Sequence, residues 1–525
     1  MDFSKLFSRK SEDNMISKEK LIVSALFFLL LIITLYNLSG PSLNVDEGTE
    51  FWYSRYLDGP HPHAPGKSMY QRILMTFQPP LYNFLMYFWL KISHSVFHFR
   101  VFGVLCALAA GALFYASAKK ITGWHAAAAF AMILFIFNHR MFFYWQEASE
   151  YCIVLFSQFM AVYFLIRFMV EPSIKNVLYL SAASVVSIYS QYGAVFAVVG
   201  FGVCVAFSVL FDAKERKMRL KGLGIYGASI LVTGIPLYFL FFKKQLDHMN
   251  NGKHAGLLNL PGFKDFFVNI PGAFRTSLSY TFFSNLNVHV LTFCAVIITV
   301  MAVAALINGS RITKILGIAF FVSWLSYYSA TISQVYAYGD FYSRHSLFII
   351  PLLFSFLISV LWDVFVMLRK KDMASYFAGI FIICVVFMAV TGLRSILEQN
   401  NGKIENNRQV VDAWYAENGY LQNTFVYYGA EKSFSYYIRQ NDLYMEDFEK
   451  AIVYMGWEKD KGKSFYKSYI EKKYGEKYPE TLYFAAAHIG SDIKDILDVF
   501  SDKGYSGKTL YDDNGMLIKL SLGSK

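Results

Sequence analysis

Two adjacent carboxylates, Asp46 and Glu47, follow the first long apolar run of the chain. That run, 20–38, is nearly uncharged, and roughly 20 such residues are enough to cross a bilayer. Acids placed where a chain leaves the membrane can serve as general acid or base, because each meets a different environment. The position alone also allows an ordinary solvated pair of loop acids.

The composition is that of a membrane protein. The 525 residues are 55% hydrophobic and 18% aromatic, and the mean hydropathy is +0.35. The net charge of +11 does not indicate a nucleic acid partner, because the clustered Lys and Arg lie between apolar runs, where they orient a chain against membrane lipids. The five cysteines have no CxxC spacing, so neither a disulfide framework nor a zinc knuckle is predicted.

The apolar runs predict about 11 transmembrane helices. We place them at 20–39, 100–118, 124–141, 150–168, 176–191, 193–211, 223–242, 287–308, 314–333, 345–368 and 374–394. A twelfth apolar segment, Pro80–Ser93, is predicted to lie in or dip into the outer membrane surface. With the N-terminus inside, this assignment puts five connections that carry Lys and Arg on the cytoplasmic side, as membrane proteins prefer. These connections are 119–120, 167–175, 214–221, 311–314 and 369–371.

The same topology puts one set of connections outside the cell membrane. They are 40–99, 142–149, 191–192, 243–286, 334–344 and everything after 394. The last part alternates in pattern and carries a strong hairpin signal at Asp512-Asp513-Asn514-Gly515. We therefore predict a catalytic transmembrane domain over 1–394, with outer loops 40–99 and 243–286, and an extracytoplasmic α/β domain over 395–525.

Five short motifs occur in an order that resembles the GT-C class of membrane glycosyltransferases. They are Asn44-Val45-Asp46-Glu47, Phe77-Gln78-Pro79-Pro80-Leu81-Tyr82, Phe99-Arg100-Val101-Phe102-Gly103, Gln146-Glu147-Ala148-Ser149-Glu150-Tyr151 and Tyr342-Ser343-Arg344-His345. The chain looks most like the bacterial branch related to protein O-mannosyltransferases and to the aminoarabinose transferases that modify lipid A. The likeness covers nearly the whole chain, and it implies a GT-C-like polytopic fold.

The resemblance implies transfer of a sugar from a polyprenyl-phosphate carrier on the outer face of the inner or plasma membrane. Asp46 is then the expected base, and Glu47 positions it or binds a sugar hydroxyl. Arg344 is expected at the leaving phosphate, although an Arg at a helix end can equally be an interfacial anchor. Gln78, Tyr82, Glu147, Glu150 and Tyr342 are further substrate-binding candidates.

Other candidates have competing interpretations. Lys67 and Arg72 bind phosphate or simply meet anionic headgroups. Glu150 with His248 or His254 could hold a divalent metal, although no short ligand spacing supports this and no cofactor is certain. Relatives often carry Arg near this position, whereas this chain has Ser149 and Glu150. The departure argues against a positively charged donor-binding residue there. Trp52, Tyr53 and Tyr56 could line a sugar or lipid groove.

Two functions from other classes stay open at this point. A transporter or flippase of a lipid-linked glycan precursor predicts charged residues within the spans and paired halves. The spans are nearly charge-free, and no half-repeat is visible. A scaffold whose outer domain binds a partner predicts no shared cluster of acids and Arg344. The sugar and the acceptor, whether protein, lipid or glycan, are not determined by the sequence.

Overall fold

The computed structural model describes most of the chain. The described residues are 12–76, 78–211, 214–250, 268, 270–276, 288–332, 344–369, 373–401, 405–427, 430–455, 461–475, 477–487 and 492–523. They divide into two compact units. The first unit comprises Met1–Tyr36, Tyr70–Leu85 and Arg100–Ile396, and the second comprises Asn37–Met69, Met86–Phe99 and Leu397–Lys525.

Helices dominate the part of the chain that is described. In chain order they are α1 (Glu12–Leu35), α2 (Val45–Arg55), α3 (Met69–Met75), α4 (Leu81–Trp89), α5 (Val96–Thr122), α6 (His125–Ile136), α7 (His139–Gln146), α8 (Tyr151–Val170), α9 (Ile174–Ser190), α10 (Val195–Phe211), α11 (Arg216–Leu237), α12 (Lys243–Asn250), α13 (Val288–Asn308), α14 (Arg311–Ile332), α15 (Ile350–Arg369), α16 (Ala374–Asn401), α17 (Asn407–Ala416), α18 (Glu431–Arg439), α19 (Lys463–Tyr474) and α20 (Ile493–Asp502).

Among the described residues, 7 helical segments are long and apolar enough to cross a membrane. They are Val96–Thr122, Tyr151–Val170, Tyr192–Leu210, Arg216–Asp247, Arg311–Thr331, Ser346–Arg369 and Ala378–Glu398. The pair α6 and α7, bent by 63°, makes an eighth if it counts as one span. Helices α1, α9 and α13 coincide with three further predicted runs. The predicted class, a polytopic α-helical membrane protein, is therefore confirmed.

The apolar segment that we did not assign as a span is a short helix. Helix α4 has 9 residues, about 14 Å at 1.5 Å per residue, which is far below the ~30 Å of a bilayer core. Pro79 and Pro80 precede it, as expected for a helix start. Its location at the membrane surface stays a prediction.

The first unit is held together by close helix packing. Its core includes Phe168 of α8, Phe201 of α10 and Phe320 of α14, each fully buried. Small residues allow the helices to approach: a Cβ at Gly200 would come within 2.6 Å of the carbonyl oxygen of Ala319. This packing is expected of membrane helices. They associate mainly through van der Waals contacts, and small residues allow their backbones to come close enough to make those contacts.

The second unit contains a five-stranded sheet with the order β2-β1-β3-β5-β4. The strands are β1 (Asn423–Val426), β2 (Ile452–Tyr454), β3 (Thr481–Ala486), β4 (Tyr505–Asp512) and β5 (Met516–Leu522). Strand β1 pairs in parallel with β2 and β3, whereas β5 is antiparallel to β3 and β4. At the β4–β5 turn, Asn514 has a φ of 48°, a conformation that Asn tolerates. The predicted small C-terminal α/β domain is confirmed.

Candidate active site

The predicted acid pair lies in the first turn of α2. Asn44 caps this helix: its Oδ1 accepts the Glu47 N–H at 2.8 Å, and its own N–H donates to Glu47 Oε2 at 3.2 Å. This reciprocal capping box fixes the start of the helix. Glu47 is buried and Asp46 is half-buried. Both carboxylates therefore sit on backbone that the cap holds in one conformation.

Helix α2 packs against α18 inside the second unit. Phe51 meets Tyr436 edge-on, with ring centroids 4.8 Å apart. Trp52 donates its Nε1–H to the carbonyl oxygen of Lys432 at 2.8 Å. Trp52 and Tyr53 are only 2% and 6% exposed, so they offer little surface for lining a groove. Phe51 and Trp52 both contact α18, and their buried aromatic rings help to hold the two helices together.

Charged side chains surround this core. His63 Nδ1 lies 2.9 Å from Glu431 Oε1, and Arg439 makes two bonds of 2.7 Å to Glu449 while stacking 4.9 Å above Trp52. Burial lowers the pKa of His63 below its ordinary value. Burial acts to raise the pKa of Glu431, but the His63 hydrogen bond and nearby positive charge hold it below the usual range. No local pattern indicates that His63 and Glu431 pair, because 368 residues separate them in the sequence.

Lys67 lies in the second unit and is exposed. Its backbone N–H donates to the carbonyl oxygen of Ala64 at 3.3 Å. Exposure is compatible with both predicted roles, phosphate binding and contact with headgroups. Arg72, the other basic candidate, is in the first unit and is buried. Burial makes contact with bulk headgroups the less suitable interpretation for Arg72.

The remaining candidates lie in the first unit, where Gln245 of α12 joins two predicted outer connections. Its Nε2 donates to the carbonyl oxygens of Ile73 at 3.1 Å and Gln78 at 3.0 Å. Its Oε1 accepts the Tyr192 hydroxyl at 2.6 Å. The neighbouring Gln191 donates from Nε2 to the carbonyl oxygen of Arg344 at 3.2 Å. Gln78 and Arg344, 266 positions apart in the sequence, are thus joined through one chain of contacts.

Arg344 opens a 3-10 helix, Arg344–Ile349, that leads directly into α15. Its side chain is half-buried. Tyr82, on the first turn of α4, is almost completely buried. The structure therefore places Arg344 at the start of a membrane-crossing segment, as the sequence predicted.

Glu147 and Glu150 lie at the break between α7 and α8. Because the chain is not helical between them, they do not share a helix face in the way that their spacing of three would allow. Ser149 donates its hydroxyl to Glu147 Oε2 at 3.3 Å, and Glu150 is the N-cap residue of α8. Both acids are buried. Gln146 fixes the segment by donating to the carbonyl oxygen of Thr34 at 3.0 Å.

The predicted metal ligands are only partly described. Tyr342, His254 and the side chain of His248 lie outside the described residues. Within the described ranges, no three His, Cys, Asp or Glu side chains come together as a metal would need.

No protein-family model matches the chain, and no curated protein sequence matches it significantly. Solved structures do. ArnT from Cupriavidus metallidurans in the apo state has a TM-score of 0.56 and 12% identity, covering 95% of this chain and 97% of that one. ArnT from the same organism bound to undecaprenyl phosphate has a TM-score of 0.57 and 11% identity, covering 97% and 98%.

A third structure is less similar. The S. cerevisiae protein O-mannosyltransferase Pmt1-Pmt2 complex bound to the sugar donor has a TM-score of 0.36 and 18% identity, covering 50% of this chain and 36% of that one. That score is too low to indicate a shared fold. Each ArnT structure aligns with this chain over nearly the full length of both proteins. The chain is therefore a multi-pass membrane protein with the fold of ArnT. ArnT is an aminoarabinose transferase of the GT-C class, the class that the sequence motifs resemble.

Proposed function

We propose that this chain transfers a sugar from a polyprenyl-phosphate carrier to an acceptor hydroxyl on the extracytoplasmic face of the cell membrane. One observation carries the proposal: the fold matches ArnT, including ArnT bound to undecaprenyl phosphate, over more than nine-tenths of both chains. The motif order adds support from the residues themselves. Fold alone does not fix chemistry, so the roles below are argued from the side chains.

The proposed reaction is a displacement at the anomeric carbon. Asp46 takes the proton of the acceptor hydroxyl as that oxygen forms a bond to the carbon. The bond from the carbon to the carrier phosphate oxygen breaks, and the phosphate leaves with the electron pair. The guanidinium of Arg344 stabilises the charge that develops on it. Glu47 holds the helix start through its bond to the Asn44 N–H, so we assign it a positioning role.

Substrate binding is assigned to Gln78, Tyr82, Glu147 and Glu150 by the same proposal. Gln245 holds the carbonyl oxygen of Gln78, and Gln191 holds that of Arg344. Fixing the backbone at these two positions favours a preorganised site. We also propose that 395–525 is extracytoplasmic, and that 1–394 carries the catalytic residues. The acceptor class and the sugar follow from experiment.

The decisive experiment uses the purified full chain in lipid nanodiscs. It is incubated with a panel of polyprenyl-phosphate sugars and candidate acceptors, and release of the carrier phosphate is measured. Asp46→Asn should lower turnover at least ~100-fold, the lower range for losing a general base. Asp58→Asn is the matched control, because Asp58 is an exposed acid in the same outer loop. It should keep wild-type turnover.

Two outcomes would contradict the proposal. One is a panel in which no donor loses its carrier phosphate in the presence of any acceptor. The other is an Asp46→Asn variant as active as Asp58→Asn. Movement of the intact donor across the bilayer of sealed proteoliposomes, without release of phosphate, would favour the flippase alternative.

A further inference from the structure

The contact between α2 and α18 in the second unit is unusually close at one point. A Cβ built on Gly48 would come within 2.5 Å of Ser433 Oγ and 3.0 Å of the Ser433 backbone nitrogen. Real Cβ atoms essentially never come within 2.5 Å of another atom, so any larger residue at position 48 would displace Ser433 or α2. Gly48 follows Glu47 directly, so the close contact lies within the turn that carries the acid pair.

Ser433 also holds the start of α2 by a hydrogen bond. Its hydroxyl donates to the carbonyl oxygen of Asn44 at 2.8 Å. That same oxygen accepts the Gly48 N–H at 2.9 Å as the first bond of the helix. Ser433 is fully buried. A single residue of α18 therefore contacts both ends of the turn that contains Asp46 and Glu47.

Further bonds from the C-terminal segment fix the residues just before the acids. Tyr437, one turn after Ser433 on α18, accepts the Leu43 N–H at 2.8 Å. Asn407 of α17 donates from Nδ2 to the Leu43 carbonyl oxygen at 3.0 Å. Ser42 donates its hydroxyl to Gln409 Oε1 at 3.0 Å. Both backbone groups of Leu43 are thus bound by side chains more than 360 residues away in the sequence.

We propose that α18 positions the acid pair, with Ser433 as the positioning residue and Gly48 as the residue that permits its approach. The inference rests on the proposed function, because it assigns the purpose of α18 as holding the proposed base. It gives the C-terminal domain a part in the reaction that does not require contact with substrate. Loss of the Ser433 contact should lower kcat and leave KM for the donor unchanged, since the substrate-binding residues are untouched.

The test uses the full chain in nanodiscs and a cycle of Gly48→Ala, Ser433→Ala and the double variant. Gly59→Ala is the control, because a Cβ at Gly59 in the same unit meets nothing within 4 Å. Gly48→Ala should lower kcat about 10- to 100-fold, the loss expected from a displacement of about 1 Å. The double variant should regain part of that loss, because Ser433→Ala removes the atom nearest to the new methyl group.

A second readout does not depend on turnover. Amide hydrogen exchange of the peptide covering 43–55 is compared between the wild type and Ser433→Ala. Exchange should become about five-fold faster, the factor that one ordinary hydrogen bond is worth. If Gly48→Ala does not fold, the Ser433→Ala comparison decides alone.

The outcomes separate the two proposals. Exchange in 43–55 that is the same in the wild type and Ser433→Ala would overturn the positioning role, whatever the activity. A kcat for Ser433→Ala equal to that of Gly59→Ala would do the same. If exchange is faster in Ser433→Ala but the wild type releases no carrier phosphate, the proposed function is overturned. The conclusion that α18 fixes the turn containing Asp46 and Glu47 is then kept.

Discussion

Gln245 offers the sharpest test of how the first unit is fixed. It is 1% exposed and joins the carbonyl oxygens of Ile73 and Gln78 to the Tyr192 hydroxyl. Gln245→Leu keeps the approximate volume and removes all three bonds. The carbonyl oxygens of Ile73 and Gln78 stay buried, so they cannot simply exchange the amide for bulk water.

The magnitude follows from the three bonds. At about 1 kcal/mol for each, the unfolding free energy falls by about 3 kcal/mol. Hydrogen bonds between membrane helices average only about 0.6 kcal/mol, which gives about 2 kcal/mol. We therefore expect a loss of 2–3 kcal/mol, roughly a factor of 30 to 150 in the folding equilibrium. The proposed donor site should weaken as well, because the backbone at Gln78 loses its support.

The assay is equilibrium unfolding in mixed detergent micelles. Lys244→Leu is the matched control, since Lys244 is the preceding residue of α12 and is exposed. It should change the unfolding free energy by less than about 0.5 kcal/mol. Tyr192→Phe should cost about 1 kcal/mol in the wild type and nothing in Gln245→Leu, where the hydroxyl has already lost its acceptor.

Equal unfolding free energies for Gln245→Leu and Lys244→Leu would refute this reasoning. So would strictly additive effects of Tyr192→Phe and Gln245→Leu, because additivity means that the two side chains do not interact.

Two further predictions concern pH and helix packing. Burial lowers the pKa of His63 from its ordinary 6.5, so as pH drops below 6.5 the unfolded chain binds a proton that the folded chain does not, and stability should fall. The pKa of Glu431 is lowered from 4.5, so its protonation should cause a further loss of stability below pH 4.5. Thermal unfolding scans against pH should show His63→Gln flattening the upper step, and an unchanged slope would contradict it. Gly222→Ala should destabilise the fold by about 1–2 kcal/mol, because the new Cβ would lie 2.5 Å from Phe168 Cζ. Gly224→Ala should be neutral or stabilising, because a Cβ there meets nothing within 4 Å. Equilibrium unfolding in detergent measures both variants, and equal unfolding free energies would contradict the prediction.

Several elements could be predicted from local sequence because their signals are local. The hairpin signal at 512–515 is one example, because the structure has a turn there between the paired strands β4 and β5. Helix α19 was missed, although Tyr466 and Ile470 recur at a spacing of four and are both buried. Its lysines masked that period. Helix α17 is not predicted either, because the residues at its start are polar.

The sequence by itself determined the class of this protein, because the free energy of moving each apolar run out of water depends on that run alone. It also marked Asp46 and Glu47 by their place after the first run. Only the tertiary structure decided what holds them. The Trp52 bond to Lys432 joins residues 380 apart, and no local pattern encodes which distant helix will pack against α2. The choice of partner helix depends on the shapes of both surfaces. The reason for a glycine at position 48 is visible only in the folded structure, where a Cβ would lie 2.5 Å from Ser433 Oγ.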